Sequence, residues 1–226
     1  MTAPENIQRA QKPPQLSRRT LLGATAGGVL LGGALAAAVP TAAQAAPAPR
    51  CYTRTEWSAR PPKSATQVIA KPDHIVIHHT ASPNVTDYSL AAAYKVQHWI
   101  QDLHMDTNGW IDSGQHFTIS RSGVIMEGRH RSVERLTAGS DMVVGAHTVG
   151  QNSQGIGIEN NGTYTSVAPP AVLYASLTSL CAYICGQYGL DPSEIYGHRD
   201  FNDTQCPGDV LYAMLPQLQS DVAAAM

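Results

Sequence analysis

Apolar residues fall along this chain in blocks with distinct periods. His74-Ile75-Val76-Ile77 is a short apolar, β-branched run, which predicts a buried strand closing at His78-His79-Thr80. From residue 88 to 104, Leu90, Ala93, Tyr94, Trp99 and Leu103 recur at near-helical spacing behind Asp87, a residue type suited to an N-cap, and Asn108-Gly109 breaks the pattern. Residues 116–120 and 124–127 flank Arg121-Ser122-Gly123 and read as a β-hairpin. Residues 155–159 read as a further strand. Residues 173–188 carry apolar and small side chains at helical period and stop at Gly189, and residues 210–218 read as a last helix kinked by Pro216. This order predicts a single α/β domain with a mixed central β-sheet flanked by helices, rather than a strictly parallel fold.

The N-terminal residues follow another logic. A polar stretch with Arg9, Lys12, Arg18 and Arg19 precedes a Gly/Ala-rich apolar run that reaches Ala43-Gln44-Ala45, the layout of a signal peptide over residues 1–45. Ser17-Arg18-Arg19-Thr20-Leu21-Leu22 fits the twin-arginine form, so a secreted protein with no stable membrane anchor after cleavage is expected. Residues 46–69, rich in Pro and Arg, read as an extended lead-in, and residues 70–226 as the main folded domain. Cleavage would remove four of the 15 basic side chains and one of the 17 acidic ones, leaving 11 against 16. Such a chain does not suit nucleic acid, which calls for a basic face. Arg129, Arg131 and Arg135 read as a solvated loop, and a monomer is expected.

Cys181 and Cys185 lie one helical turn apart, too far to pair with each other. In an oxidising compartment Cys51 would pair with one of them; alternatively, both helix cysteines are small core residues.

Three segments place metal-ligating residue types where strands meet loops: His78-His79, Gly197-His198-Arg199-Asp200 and Gln205-Cys206-Pro207-Gly208. Zinc takes imidazole nitrogen and thiolate sulfur, and a catalytic site uses three such ligands with a fourth position left open. His78, His198 and Cys206 would supply that set.

Over roughly residues 70–215 the chain resembles the zinc-dependent N-acetylmuramoyl-L-alanine amidases, a family that includes phage-type amidases and peptidoglycan recognition proteins. The motifs that carry the resemblance stand in family order. They are Ile75-Val76-Ile77-His78-His79-Thr80-Ala81, His116-Phe117, Glu127-Gly128-Arg129, Val144-Gly145-Ala146-His147, Gly155-Ile156-Gly157-Ile158-Glu159, and Gly197-His198-Arg199-Asp200 running into Thr204-Gln205-Cys206-Pro207-Gly208. The resemblance implies Zn2+ held by His78, His198 and Cys206, with His79 beside them. Gln115 stands where many relatives carry a tyrosine that assists catalysis. Glu159 matches a catalytic glutamate of the anhydromuropeptide amidases and is read as the proton shuttle. Thr204 is read as orienting the carbonyl oxygen, and His147, Gln115 and His79 as meeting substrate. The implied reaction is hydrolysis of the amide between the lactyl group of N-acetylmuramic acid and the L-alanine of the peptidoglycan stem peptide. The implied partners are peptidoglycan and muropeptides. A non-catalytic peptidoglycan-binding recognition protein is the alternative.

Replacing Arg18-Arg19 with Lys-Lys is expected to strand the precursor inside the cell, because the exporter reads the arginine pair rather than its charge. Fractionation of cells expressing both forms checks this, and unchanged secretion would assign the general secretory route instead.

Overall fold

The computed structural model describes residues 46–226; the expected signal peptide at residues 1–45 lies outside the described residues. In chain order the elements are β1 (Cys51–Tyr52), β2 (Val68–Ala70), β3 (His74–His79) and α1 (Leu90–Asp102), which runs on as a π-helical turn over Leu103–Thr107. Then come β4 (Phe117–Ile119), β5 (Ile125–Glu127), α2 (Ser132–Ala138), β6 (Asp141–Val143), β7 (Gly155–Asn160), α3 (Ala171–Tyr188), β8 (Ile195–Gly197), α4 (Asp209–Ala213) and α5 (Leu215–Ala225).

Six strands form one sheet in the order β1-β5-β4-β7-β3-β8, and β2 with β6 forms a separate antiparallel pair. Only β4 and β5 run antiparallel in the large sheet, so the sheet is mixed, as the sequence predicts. β3 lies between β7 and β8, with all six of its residues buried, which explains its apolar run.

Strand alternation then separates two faces. Ile75 and Ile77 pair with Ile156 and Ile158 of β7, and Ile158 pairs with Phe117 of β4. These residues share one core with Leu173, Leu177 and Leu180 of α3 and with Leu215, Leu218 and Val222 of α5. Each such side chain contributes about 1.5–3 kcal/mol by leaving water. His74, Val76 and His78 therefore point to the opposite side of the sheet. There Met126 of β5 packs with Ala93 of α1 and Trp57.

Several local expectations are corrected. Ser89, not Asp87, caps α1: the Ser89 hydroxyl accepts from the Ala92 N–H at 3.1 Å, while Asp87 accepts from the Ser89 N–H one step upstream. Pro216 does not kink a helix. It sits in the first turn of α5, where a missing N–H is harmless, and the chain divides at Met214 into α4 and α5. Arg129 is buried rather than solvated and donates to the Ser113 carbonyl at 2.9 Å, and Arg135 pairs with Asp141 from α2. All four cysteines are free; Cys181 and Cys185 are core residues, and Cys51 packs against that core.

The lead-in is folded onto the domain. β1 adds to β5, β2 pairs with β6, and Trp57 is buried with its indole N–H donating to the Glu127 carbonyl at 2.9 Å. Arg54 forms an ion pair with the fully buried Asp112 at 3.0 Å and donates to the carbonyls of Gly128 and Arg60. Among the described residues, no helix is long and apolar enough to cross a membrane.

His116 ties the two sheets together. Its Nε2 donates to the Val143 carbonyl at 2.8 Å, at the end of β6, and its Nδ1 accepts from the Gly157 N–H of β7 at 3.0 Å. Burial is the main cause that lowers its pKa from the ordinary 6.5 to about 4. The unfolded chain therefore binds this proton more readily, so the stability it contributes is complete above about pH 6.5 and is lost as pH falls toward 4. Urea unfolding should show wild type losing about 2 kcal/mol more than His116→Gln between pH 7 and pH 5. Equal losses in the two proteins would contradict a neutral, structural imidazole.

Candidate metal centre

The face of the sheet away from α3 and α5 carries the polar chemistry. His78 is the penultimate residue of β3, and the β3–β7 register sets it beside Glu159. The β7–β4 register in turn sets Glu159 beside Thr118. Three adjacent strands thus carry His78, Glu159 and Thr118 as one row across the sheet.

Two loops complete the centre. β8 pairs with β3, so His198, which follows Gly197 in a short 3-10 turn, arrives next to His78 with ring centroids 4.6 Å apart. Cys206 comes from the loop before α4. Its carbonyl accepts from the Arg199 N–H at 3.1 Å, its N–H donates to Thr204 Oγ1 at 3.2 Å, and its Sγ accepts from the His79 N–H at 3.3 Å. The ligating atoms of His78, His198 and Cys206 all lie within 4.8 Å of one another, and His78 Nδ1 is 3.6 Å from Cys206 Sγ. Tetrahedral zinc, with bonds of about 2.0–2.3 Å, needs donors roughly 3.5 Å apart. Two imidazoles and one thiol at this spacing fit zinc, leaving a fourth position to water or substrate.

The electrostatics agree with that donor set. Burial, followed by the neighbouring His147 and His198, holds the pKa of His78 well below its ordinary value, so its ring is neutral and has a lone pair to offer. Burial and then Glu159 push the Cys206 thiol up, and only the His79 N–H and Arg199 act the other way. A bound cation would reverse that balance in favour of thiolate. Burial also raises Glu159 to about 8, and its Oε2 is buried with no hydrogen-bond partner. An orphaned carboxyl oxygen beside a donor set of this kind has an obvious use for a proton or a water molecule.

The other residues expected at the site take different places. Thr204 is half-buried and, with its Oγ1 accepting from Cys206, keeps its hydroxyl proton free to donate. Gln115 is fully buried; its Nε2 donates to Thr118 Oγ1 at 2.8 Å and its Oε1 has no partner, so it lies one step behind the Glu159 row. The His79 ring belongs to the core side, where Nδ1 accepts from the Tyr164 N–H at 3.3 Å; the residue serves the centre through its backbone. His147 is not an exposed loop residue but packs edge-on against His78, with centroids 5.1 Å apart.

Sequence reading missed Asn202. Its Oδ1 lies 3.1 Å from His198 Nε2, and its Nδ2 donates to the carbonyls of Phe201 and Val149. An amide four residues after a candidate ligand histidine in the same turn is the signal that could have found it. A groove of about 450 Å³, lined by Ser82, Val85, Lys95, Val96, Trp99 and Asn161, starts where β3 and β7 end.

Residues 69–209 match the family model described as N-acetylmuramoyl-L-alanine amidase. Peptidoglycan-recognition protein LB of Drosophila melanogaster is 32% identical over 165 residues, covering 73% of this chain and 66% of the relative. The human N-acetylmuramoyl-L-alanine amidase is 32% identical over 173 residues, covering 74% of this chain and 28% of the relative. The chain thus spans about two thirds of the fly relative and under a third of the human one. The solved structure of the fly protein superposes with a TM-score of 0.64 at 32% identity, over 74% of this chain and 92% of that one. A mutant of that fly protein was solved in complex with tracheal cytotoxin.

Proposed function

The chain belongs to the N-acetylmuramoyl-L-alanine amidase family, and we propose that it is a zinc hydrolase cutting the amide between the lactyl group of N-acetylmuramic acid and the L-alanine of the stem peptide. The observation that carries this reading is the convergence of His78, His198 and Cys206 beside Glu159, whose buried Oε2 has no partner. The complex of the fly relative with tracheal cytotoxin supports a muropeptide as ligand. Secretion by the twin-arginine route belongs to the same proposal, because it would deliver the enzyme to its wall substrate.

His78, His198 and Cys206 would hold the metal, which when bound supplies Lewis-acid polarisation of the scissile carbonyl and nucleophilic water near neutral pH. Glu159 takes the proton from the attacking water and returns it to the leaving amine of L-alanine. Desolvation raises the pKa of its carboxyl to about 8 when no cation is near, and a neighbouring cation favours the carboxylate, so it can serve in both directions. Thr204 donates its free hydroxyl proton to the carbonyl oxygen as negative charge develops there. The groove along α1 offers Val85, Val96 and Trp99 to the peptide's apolar surface and Lys95 to a carboxylate. Gln115 acts through Thr118 and has no useful basicity of its own.

Digestion of purified muropeptides followed by mass spectrometry tests the reaction, with a free stem peptide beginning at L-alanine as the expected product. Binding without cleavage would assign the recognition role instead, and cutting within the stem would assign a peptidase. Glu159→Gln is expected to retain zinc and to lose about 10²–10⁴-fold in turnover, whereas Gln115→Ala should cost far less. A nearly active Glu159→Gln together with an inactive Gln115→Ala would move the catalytic role to Gln115.

A further inference from the structure

We propose that His147 is a positioning residue that fixes the tautomer of His78, so that His78 presents Nδ1 to the metal. The inference rests on the zinc reading above and gives His147 a role other than touching substrate.

The order of protons starts at a carbonyl. His147 Nε2 lies 3.1 Å from the Gly155 carbonyl oxygen, which can only accept, so Nε2 carries the proton. A neutral imidazole carries a single ring proton, and in His147 the carbonyl holds it at Nε2. Its Nδ1 is then an acceptor. That Nδ1 lies 3.1 Å from His78 Nε2, which must therefore bear its own proton. Thr148 Oγ1, 2.9 Å from His147 Nδ1 and 3.3 Å from His78 Nε2, can share the same N–H without changing the outcome. The one lone pair left on His78 is at Nδ1, the atom 3.6 Å from Cys206 Sγ. Proton placement thus passes from a backbone carbonyl through two imidazoles to the metal side.

The slot that seats His147 is built for it. A Cβ added at either Gly145 or Gly157 would stand 2.6 Å from His147 Cδ2, so both glycines leave room for the ring. The Asn152 side-chain oxygen accepts from the N–H groups of His147 and Thr148 at 2.7 and 2.9 Å and fixes the backbone beneath. Gly155-Ile156-Gly157 serves the same ring twice: Gly155 gives the carbonyl that orients it and Gly157 the space it fills. Asn202 performs the matching task at His198, because its Oδ1 accepts from Nε2 and leaves Nδ1 free.

The test compares zinc affinity, measured by chelator competition and so independent of turnover, in wild type, His147→Asn and His147→Phe. Asparagine keeps a polar acceptor near the place of Nδ1, and phenylalanine fills the slot without one. The expected order is wild type, then Asn, then Phe, with Phe weaker by about 10–100-fold. A packing role alone predicts Phe above Asn, and that order would overturn the inference. Should His147→Phe fail to fold, nitrogen-15 NMR of zinc-loaded wild type decides: His78 protonated at Nε2 supports the proposal, and protonated at Nδ1 refutes it. Failure of wild type to bind zinc would overturn the zinc reading and this inference together. Full zinc affinity in His147→Phe would overturn this inference alone.

Discussion

Parallel pairing of β3 with β7 is the constraint on which the rest of this molecule depends. It is a backbone ladder, indifferent to side-chain identity along most of its length, yet its register decides which chemistry can meet. With Ile77 opposite Ile158, the helices receive a continuous apolar face; with His78 opposite Glu159, the other face receives an imidazole and a carboxyl on neighbouring strands. A slip of one residue would exchange the two faces, placing imidazole and carboxylate in the hydrocarbon core and isoleucine in the cleft. The burial of the isoleucines therefore also holds the polar row in register.

Much of this was legible in the sequence, for physical reasons. The strand at His74–His79 announced itself because β3 is covered on both sides, which demands apolar residues throughout. The hairpin was readable from its turn chemistry, and the cluster of His78, His198 and Cys206 from residue type together with the family resemblance. The small strands were not: β1, β6 and β8 have only two or three residues each, too few to show a period. Arg129 misled because an arginine in isolation reads as solvated, whereas here it is buried with the Ser113 carbonyl as acceptor. His79 and Gln115 were read as meeting substrate, whereas alternation along β3 and the burial of Gln115 set their side chains behind the centre.

Charge is treated in one consistent manner around the site. His78, His116, His147 and His198 all have lowered pKa values, with burial the first cause in each, while Cys206 and Glu159 are raised by the same means. Every titratable group in the cluster is thereby pushed toward its neutral form. Such a pocket offers a cation several lone pairs, and Arg199, the fixed cation that acts on Cys206, is itself turned to Asp209 and the Gln205 carbonyl.

The Arg54–Asp112 pair has a bearing on where the cooperative unit begins. Asp112 is wholly buried, and its cationic partner comes from a stretch that precedes the family-matched residues 69–209. Trimming this chain to the matched span would leave that carboxylate in the interior without its counter-ion, a loss of about 3–5 kcal/mol for a pair broken on one side. The same cut would remove α5, whose Leu218 and Val222 lie in the core under the sheet. The family-matched span and the folding unit thus have different borders in this chain: residues 69–209 hold the chemistry at the strand ends, and the sequence on either side closes the interior beneath it.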